Sequence, residues 1–412
     1  PVDVGQYLDQ VDRDGAGTNI AHLLPQGSLR ARVMGPQSGR ATSEQMMTML
    51  SLTEKAMKEG AFGISTGLIY IPGTFTETEE LIELSRVVAA HHGFYASHIR
   101  NEGDELSASL EEAIRIGETA NLPVHISHLK CSGTSNWGRM RLALEQIRSA
   151  RSRGLKVTAD QYPYAASSTS LDATLLPSWA RDGGRPELTK RLNDPAISAK
   201  IRDELVRSLQ KASRIQIAAC SAFPQFVGKS LDEIAAAENA ENPDVAELVL
   251  RIERNGGAAV VNFAMSEEDV RMAMPVDWVA TASDGGSKVP GPTLPHPRSF
   301  GTFPRKIGLY ARDLDVLTVA AAIRSATGLP AEILGLKERG TLKKDSAADI
   351  AVFHPDTFID RATYDEPWLP PEGMRYVLVN GRFAVYAGQA TGILAGRSLR
   401  KQSQKTSESG ES

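Results

Sequence analysis

The sequence predicts an α/β protein with a parallel sheet. Short apolar runs alternate with segments of helical periodicity at intervals of roughly 30 residues throughout 18–164, as in βαβ units. Two of these runs end in a histidine, at His98 and His128, and the segment between them (105–122) has a helical pattern. Parallel strands joined in this way place their carboxyl ends at one edge of the sheet, where the functional residues of such folds collect.

The first third of the chain supplies the opening elements. Residues 43–60 form a predicted helix that Ser43 can cap and Gly60 can end. Apolar stretches bounded by turn residues predict strands, and helical spacing predicts helices. In order, we expect the end of a helix at 3–13, a short strand and then a Pro/Gly turn within 18–30, a strand at 61–67 and a helix at 76–93.

Beyond His128 the alternation continues and then breaks. A helix is expected at 137–153 and a strand at 155–164. The polar segment at about 170–256 interrupts the pattern, and we interpret it as an insertion that covers the site. Its predicted elements are helical stretches at 186–212 and 229–254 and a short strand at 214–219. The strand pattern returns at 257–265 and 277–286, and a helix follows at 317–328.

The last part of the chain has a different residue pattern. From residue 337 the sequence shows alternation and turn signals without helical spacing, and Asn380-Gly381 between apolar runs is a strong hairpin signal. We therefore expect an α/β body at 1–336, a small β domain at 337–398 and a disordered tail at 399–412, which is polar and lacks aromatic residues.

Composition excludes several classes of protein. The chain has 412 residues, 41% hydrophobic and 23% charged, which is ordinary for a globular protein with one large and one smaller domain. A net charge of −4 gives no electrostatic reason to expect nucleic acid or a membrane surface as a partner. Cys131 and Cys220 have no metal-site spacing, which favours a reducing, cytoplasmic compartment. The chain begins at Pro1 without Met, so a signal peptide cannot be judged.

The two histidines at strand ends are the first candidate site. Neighbouring parallel strands lie about 4.8 Å apart, a distance that lets two imidazoles reach one metal ion. A metal-bound water has a pKa near 7, and an aspartate beside it can take its proton and pass it to a leaving group. Two unrelated histidines remain an open alternative on the residues alone.

Other polar residues follow the predicted strands, each with an ordinary explanation. Asp284 lies in Ser-Asp-Gly-Gly, which is also good sequence for an Asx turn. Arg298 could hold a substrate carboxylate through two hydrogen bonds, although a solvated loop arginine is more common. The remaining candidates, each weak on its own, are Tyr70, Lys130, Tyr162 and Ser168.

Several long motifs together resemble the N-acyl-D-amino-acid deacylase (D-aminoacylase) family of the amidohydrolase superfamily. The similarity extends over about 18–398, and GLKERGTLKKDSAADIAVF and the VLVNG hairpin resemble the superfamily's β domain. The motifs are GISTGLIYIPG (63–73), SHIRNEG (97–103), HISHLKCSGTSNWGR (125–139), DQYPYAASST (160–169), SDG (283–285) and HPRSFGTFPR (296–305).

The resemblance implies a TIM-like barrel with a small β-sandwich domain at its C-terminal end. It implies one tightly bound Zn²⁺ held by His98 and His128, with Asp284 as general base and as ligand of a second, weaker metal. Arg298 and Lys130 would hold the substrate's carboxylate, and Tyr70 would support the developing oxyanion. Tyr162 and Ser168 would line the same substrate pocket.

The chain also departs from the family pattern. The His-x-His pair of the first barrel strand and the cysteine after the second strand are absent, and Gln26 stands where the deacylases carry histidine. The barrel at 1–336 would therefore lack its first two strands and retain strands 3–8. We interpret the chain as a fragment of a longer protein, because the remaining motifs are intact.

The expected activity is zinc-dependent hydrolysis of N-acyl-D-amino acids to a carboxylate and a free D-amino acid. The partner would be this small-molecule substrate, with no nucleic acid and no membrane. Two alternatives stay open: a related enzyme acting on D-dipeptides or cyclic amides, and a non-catalytic amidohydrolase-like subunit. Arg298 argues against a neutral cyclic amide as the substrate, because such a substrate has no carboxylate for it to bind. The absence of the first-strand ligands is what the non-catalytic alternative predicts.

Overall fold

The computed structural model describes residues 3–401. Most of the tail predicted at 399–412 lies outside the described residues. Its first residues do not fit that prediction, because Leu399 belongs to a strand and the Lys401 amide donates to the carbonyl of Gly60. The strand therefore extends one residue further than the expected domain boundary.

The strands form one parallel sheet, two antiparallel sheets and one short parallel pair. They are β1 (Ile20–Ala21), β2 (Leu24–Pro25), β3 (Gly63–Gly67), β4 (Phe94–His98), β5 (Val124–Ile126), β6 (Val157–Gln161), β7 (Ser167–Ser170), β8 (Ile215–Ala219), β9 (Ala259–Asn262), β10 (Val279–Thr281), β11 (Ile350–Phe353), β12 (Met374–Val379), β13 (Arg382–Tyr386), β14 (Gln389–Ala390) and β15 (Ser398–Leu399).

The α-helices are, in the same order, α1 (Val4–Asp14), α2 (Gln26–Met34), α3 (Ser43–Lys58), α4 (Thr78–Ala90), α5 (Leu106–Ala120), α6 (Met140–Ser152), α7 (Leu171–Leu175), α8 (Ser178–Arg181), α9 (Arg185–Asn193), α10 (Pro195–Lys211), α11 (Leu231–Glu238), α12 (Val245–Arg254), α13 (Glu267–Ala273), α14 (Arg298–Arg305), α15 (Val319–Ala326) and α16 (Gly328–Leu334). A π-helix, Lys306–Asp313, continues from α14. None of the helices within 3–401 combines the length and apolar character needed to cross a bilayer.

The parallel sheet confirms the predicted α/β class. Its strand order is β10-β6-β5-β4-β3-β2, and every pairing in it is parallel. The helices that connect these strands bury apolar side chains against the sheet, such as Leu110 of α5 and Ile147 of α6. The strands contribute small or β-branched residues to the same core, which suits a sheet covered on both faces. All the carboxyl ends consequently lie at one edge.

Two local predictions were wrong. The Pro/Gly turn expected after β2 is the start of α2, in which Leu29 and Arg30 are buried. The cap of α3 is Thr42 rather than Ser43, because the Thr42 side chain accepts from the amide of Gln45 while the Gln45 side chain accepts from the amide of Thr42. This capping box satisfies two amides at the start of the helix.

Residues 167–262 contain a separate antiparallel sheet with the order β7-β9-β8. Helices α7 to α12 pack around it and form their own apolar core, which includes Leu188, Leu205 and Val249. Strand β9 therefore joins this sheet and not the parallel one. The expected helix over 186–212 is two helices, because Asp194 ends α9 and its side chain accepts from the amides of Ala196 and Ile197 at the start of α10.

The two ends of the described chain lie together. Strand β1 pairs with β15, and Asp12 of α1 accepts from the amide and hydroxyl of Ser398 at 2.7 and 2.6 Å. The antiparallel sheet β11-β12-β13-β14 is joined to this region because Asn380, before β13, donates to the side chain of Asn19 at 2.8 Å. The hairpin predicted at Asn380-Gly381 is confirmed by the β12–β13 pairing.

Candidate metal centre

His98 and His128 meet at the carboxyl edge of the parallel sheet. His98 is the last residue of β4, and His128 follows β5 by two residues with a positive φ of 39°. Because β4 and β5 are paired neighbours, the two imidazoles converge: Nδ1 of His98 lies 2.9 Å from Nε2 of His128. The rings are nearly perpendicular, with an interplanar angle of 72°. The predicted convergence of the two histidines is therefore present.

Glu102 completes a cluster that the sequence analysis did not identify. Its carboxylate oxygens lie 3.0 Å from Nδ1 of His128 and 3.9 Å from Nε2 of His98. One ligand atom from each of the three residues lies within 4.8 Å of the others. The spacing His98-x-x-x-Glu102 was visible in SHIRNEG, but the sequence gives no sign that the loop after β4 turns this carboxylate back toward the histidines.

The donor set fits a divalent metal ion. Burial lowers the pKa of His98 to about 3, so its ring is neutral at pH 7 and offers a lone pair. Nε2 of His98 is buried and has no hydrogen-bond partner among residues 3–401, an arrangement that costs free energy unless a ligand occupies it. Two imidazoles and a carboxylate are also the ligand types found in catalytic zinc sites. Asp284 is not a member of this cluster.

Lys130 supports the negative charge of Glu102. Its Nζ donates to Oε1 of Glu102 at 2.5 Å and lies 2.6 Å from Nδ1 of His128, and only 3% of its side chain is exposed. Burial alone would raise the pKa of Glu102, but chiefly the charge of Lys130 lowers it well below its ordinary value. Glu102 is therefore ionised, as a metal ligand must be.

Asp160 fixes the backbone turn that carries His128. One of its oxygens accepts from the amide of His128 at 2.6 Å, and the other lies 2.7 Å from Nε2 of His125. The second ring nitrogen of His125 lies 2.8 Å from the hydroxyl of Thr158. His125 thus uses both nitrogens within the sheet, and it orients Asp160 instead of joining the metal cluster.

Asp284 and Arg298 form an ion pair in the wall of the same cavity. Asp284 has a positive φ of 46° and is 38% exposed, and its Oδ2 lies 2.8 Å from NH1 of Arg298, whose side chain is only 8% exposed. NH1 is nevertheless without an aligned hydrogen-bond acceptor. The guanidinium also lies over the ring of Tyr162, 4.7 Å from its centroid, and NH2 donates to the carbonyl of Ser168 at 3.3 Å.

His296 holds the backbone of Arg298 in place. Nε2 of His296 donates to the carbonyl of Ala166 at 2.9 Å, so Nδ1 is free to accept from the amide of Arg298 at 3.0 Å. This pattern requires the neutral ring, and burial lowers the pKa of His296 to about 3. His296 was not among the residues singled out from the sequence.

One cavity of about 730 Å³ includes all the predicted site residues in its wall, and its size suits a small-molecule ligand. Their catalytic and binding roles remain predictions. The predicted residues in the wall are Tyr70, His98, His128, Lys130, Tyr162, Ser168, Asp284 and Arg298. Gln26 is not in the wall: it is fully buried and donates to Thr76 at 3.0 Å and to Glu80 at 3.3 Å.

Comparison with known proteins places these features in context. Residues 3–385 match the model of an amidohydrolase family. The chain is similar to D-aminoacylase of Alcaligenes xylosoxydans xylosoxydans, with 38% identity over 398 residues that cover 96% of this chain and 73% of that protein. A crystal structure of D-aminoacylase superposes with a TM-score of 0.82 at 32% identity, over 97% of this chain and 75% of that one. This match confirms the predicted TIM-like barrel type.

A second solved structure carries a ligand. It is N-acyl-D-glutamate deacylase from Bordetella bronchiseptica, complexed with zinc and a phosphonate inhibitor that mimics the tetrahedral intermediate of its reaction. It superposes with a TM-score of 0.80 at 32% identity, and the alignment covers 97% of this chain and 75% of that one. Both similarities extend along nearly the whole described chain.

Proposed function

This chain belongs to the amidohydrolase family, and on that premise we propose that it hydrolyses the amide bond of N-acyl-D-amino acids, with a divalent metal ion, to a carboxylate and a free D-amino acid. The observation that carries the proposal is the cluster of His98, His128 and Glu102 at the edge of a cavity that also contains Arg298. The similar proteins named D-aminoacylase and N-acyl-D-glutamate deacylase support the choice of substrate.

We propose Zn²⁺ as the metal, held by His98, His128 and Glu102. Nitrogen and carboxylate donors suit zinc, and the zinc complex of the similar N-acyl-D-glutamate deacylase supports it. When bound, such an ion supplies a water of lowered pKa and polarises a carbonyl group. A second, weaker site that includes Asp284 is also part of the proposal.

Arg298 is proposed to bind the carboxylate of the substrate. Its buried NH1 lacks an aligned acceptor, and a carboxylate matches the planar guanidinium through two parallel hydrogen bonds. Lys130 was expected to share this task, but its ammonium already contacts both Glu102 and His128. We therefore assign Lys130 to keeping Glu102 charged and leave the carboxylate to Arg298.

Asp284 is proposed to transfer the proton. Its carboxylate would take a proton from the attacking water as the new C–O bond forms, and would deliver it to the amide nitrogen as the C–N bond breaks. Binding of the substrate carboxylate to Arg298 would compete with the Arg298–Asp284 pair and free Asp284 for this step. Tyr70, which lies in the cavity wall, would donate to the developing oxyanion.

The test is turnover of N-acetyl-D-methionine by the zinc-loaded protein, with N-acetyl-L-methionine as the stereochemical control. Asp284→Ala should lower kcat by at least about a thousandfold while the zinc held by His98, His128 and Glu102 is retained, because it removes the proton carrier but not this metal cluster. Asp277→Ala is the matched control. Asp277 is exposed and precedes the amino end of β10, whereas Asp284 follows its carboxyl end. Normal turnover by Asp284→Ala would exclude the proposed mechanism, and turnover of hydantoin alone would redirect the substrate assignment.

A further inference from the structure

We infer that the cavity selects N-acyl-D-amino acids with an uncharged side chain, because every lysine and arginine in its described wall already has a carboxylate partner. The inference rests on the proposed function and goes one step further, to the substrate's side chain. The wall contains four such cations: Arg100, Lys130, Lys211 and Arg298. A substrate with an acidic side chain brings two carboxylates into this cavity, and each needs a partner.

Two of the four cations are each held by several partners. Arg100 makes two hydrogen bonds to Glu112, at 2.8 and 2.9 Å, and further bonds of 2.9 Å to the carbonyls of Thr74 and Thr76. Lys130 is 3% exposed and lies between Glu102 and His128. Because both groups are held by buried or half-buried partners, neither can turn toward a second carboxylate without leaving a charge unpaired.

The other two cations, Arg298 and Lys211, have partners of a different kind. Arg298 is the partner proposed for the carboxylate attached to the α-carbon, which every substrate of this class carries. Lys211 lies at the rim, where its Nζ donates to Asp104 at 2.7 Å and 65% of the side chain is exposed. Asp104 also accepts from Asn136 at 3.0 Å, so this acid is held in position beside Lys211. The rim therefore offers a neutralised pair to an incoming carboxylate.

The acids of the wall cancel the charges of three of these cations. Glu102, Asp104 and Asp284 all line the cavity, and a second substrate carboxylate would share the cavity with them. A carboxylate that leaves water without gaining a partner loses affinity, whereas an apolar or amide side chain of the same size does not carry this penalty. The charge pattern thus favours neutral side chains and opposes those of aspartate and glutamate.

N-acetyl-D-glutamine and N-acetyl-D-glutamate provide the direct test, because they have the same shape and differ in charge. We expect kcat/KM of the zinc-loaded enzyme to be at least about tenfold higher for the glutamine compound, which corresponds to roughly 1.4 kcal/mol. Equal values, or a preference for the glutamate compound, would overturn the inference. N-acetyl-D-methionine separates the two proposals: if it is not hydrolysed, the proposed function itself fails.

Asp104→Asn tests the physical reason. This substitution keeps the shape of the side chain and releases the charge of Lys211, so the glutamate-to-glutamine ratio of kcat/KM should rise severalfold. The double variant Asp104→Asn with Lys211→Met should return the ratio to the wild-type value. An unchanged ratio in Asp104→Asn would contradict the charge argument. Both substrates are measured on the same preparation of each variant. A general loss of activity therefore lowers both values of kcat/KM equally and leaves their ratio unchanged.

Discussion

At the scale of single residues, Glu102 connects the two histidines of the cluster to Lys130. It is the acid that compensates the buried lysine, and its oxygens lie next to both imidazoles. Removing its charge would leave Lys130 buried without its carboxylate partner, a situation that costs far more than losing a surface ion pair. The cluster is therefore expected to depend on this one carboxylate.

Glu102→Gln should weaken zinc binding by about ten- to a hundredfold, because it removes an anionic ligand while preserving the shape. The measurement is zinc retained against a chelator of known affinity, with circular dichroism to verify the fold. Glu118→Gln on the exposed side of α5 is the control. Zinc affinity equal to the wild type in Glu102→Gln would remove Glu102 from the ligand set.

His296 gives a pH-dependent prediction. Its pKa is about 3 in the folded protein and near 6.5 when exposed, so the unfolded chain binds the extra proton between these values. The free energy of unfolding should therefore decrease as the pH falls below 6.5, by up to about 1.4 kcal/mol per pH unit from this residue. Above pH 6.5 the residue should contribute no pH dependence.

The variant His296→Phe should be less stable at pH 7 but should lose less stability on acidification than the wild type. Urea unfolding at pH 7, 6 and 5 measures the two slopes. His354→Phe is the control, because His354 is exposed and should leave the slope unchanged. Identical slopes for the wild type and His296→Phe would show that His296 titrates normally in the folded protein.

Among the site residues, the two histidines at strand ends could be predicted from the spacing of the strands, whereas Glu102 and His296 could not. His98 and His128 follow from the βα period, because pairing of parallel neighbours brings their carboxyl ends together. Glu102 depends on how the loop after β4 folds back, and His296 depends on a long connection after β10. Such contacts are set by tertiary packing, which the spacing of residues in one sequence does not encode.

At the scale of elements, α5 packs against β5 through a glycine. A Cβ on Gly117 would lie 2.1 Å from Cγ2 of Val124, so the two backbones can approach only because the side chain is absent. Regular helices such as α3, α4, α5 and α6 could be predicted from periodicity and capping residues. Helix α2 was missed because Pro-Gln-Gly is typical turn sequence, while buried contacts of Leu29 and Arg30 stabilise it as a helix.

Gly117→Ala should lower the free energy of unfolding by about 1–3 kcal/mol, since the overlap outweighs the gain in helix propensity. Gly27→Ala in α2 is the control, because no atom lies within 4 Å of its added Cβ. In a Val124→Ala background, where the colliding methyl is gone, Gly117→Ala should be neutral or stabilising. Destabilisation of equal size in both backgrounds would exclude the proposed contact.

At the scale of the whole molecule, contacts between the first and last described residues hold the small β region to the barrel. Strand β1 pairs with β15, and Asp12 accepts two hydrogen bonds from Ser398. Asn19, Asp349 and Asn380 form a further hydrogen-bonded group between these parts. The alternation of strands and helices in the parallel sheet could be predicted from local sequence patterns. These long-range pairings could not, because no local pattern indicates them.

Asp12→Ala should lower the free energy of unfolding by about 1 kcal/mol, because both hydrogen bonds to Ser398 are lost. Hydrogen exchange of α1 and β15 should accelerate together, which a purely local effect on α1 would not produce. Asp14→Ala is the control, as Asp14 is exposed and its one ion pair within the described part of the chain is with neighbouring Arg13 at 3.5 Å. Faster exchange restricted to α1 would contradict the proposed link.

The union of the chain's two ends also constrains the order of events during synthesis. Ser398 reaches Asp12 across a sequence separation of 386 residues. On the ribosome, β1 and the acceptor oxygens of Asp12 must therefore wait without these partners until Ser398 has been translated. The parallel sheet can assemble βα unit by βα unit as the nascent chain emerges, whereas β1 can pair with β15 only after Ser398 and Leu399 have emerged.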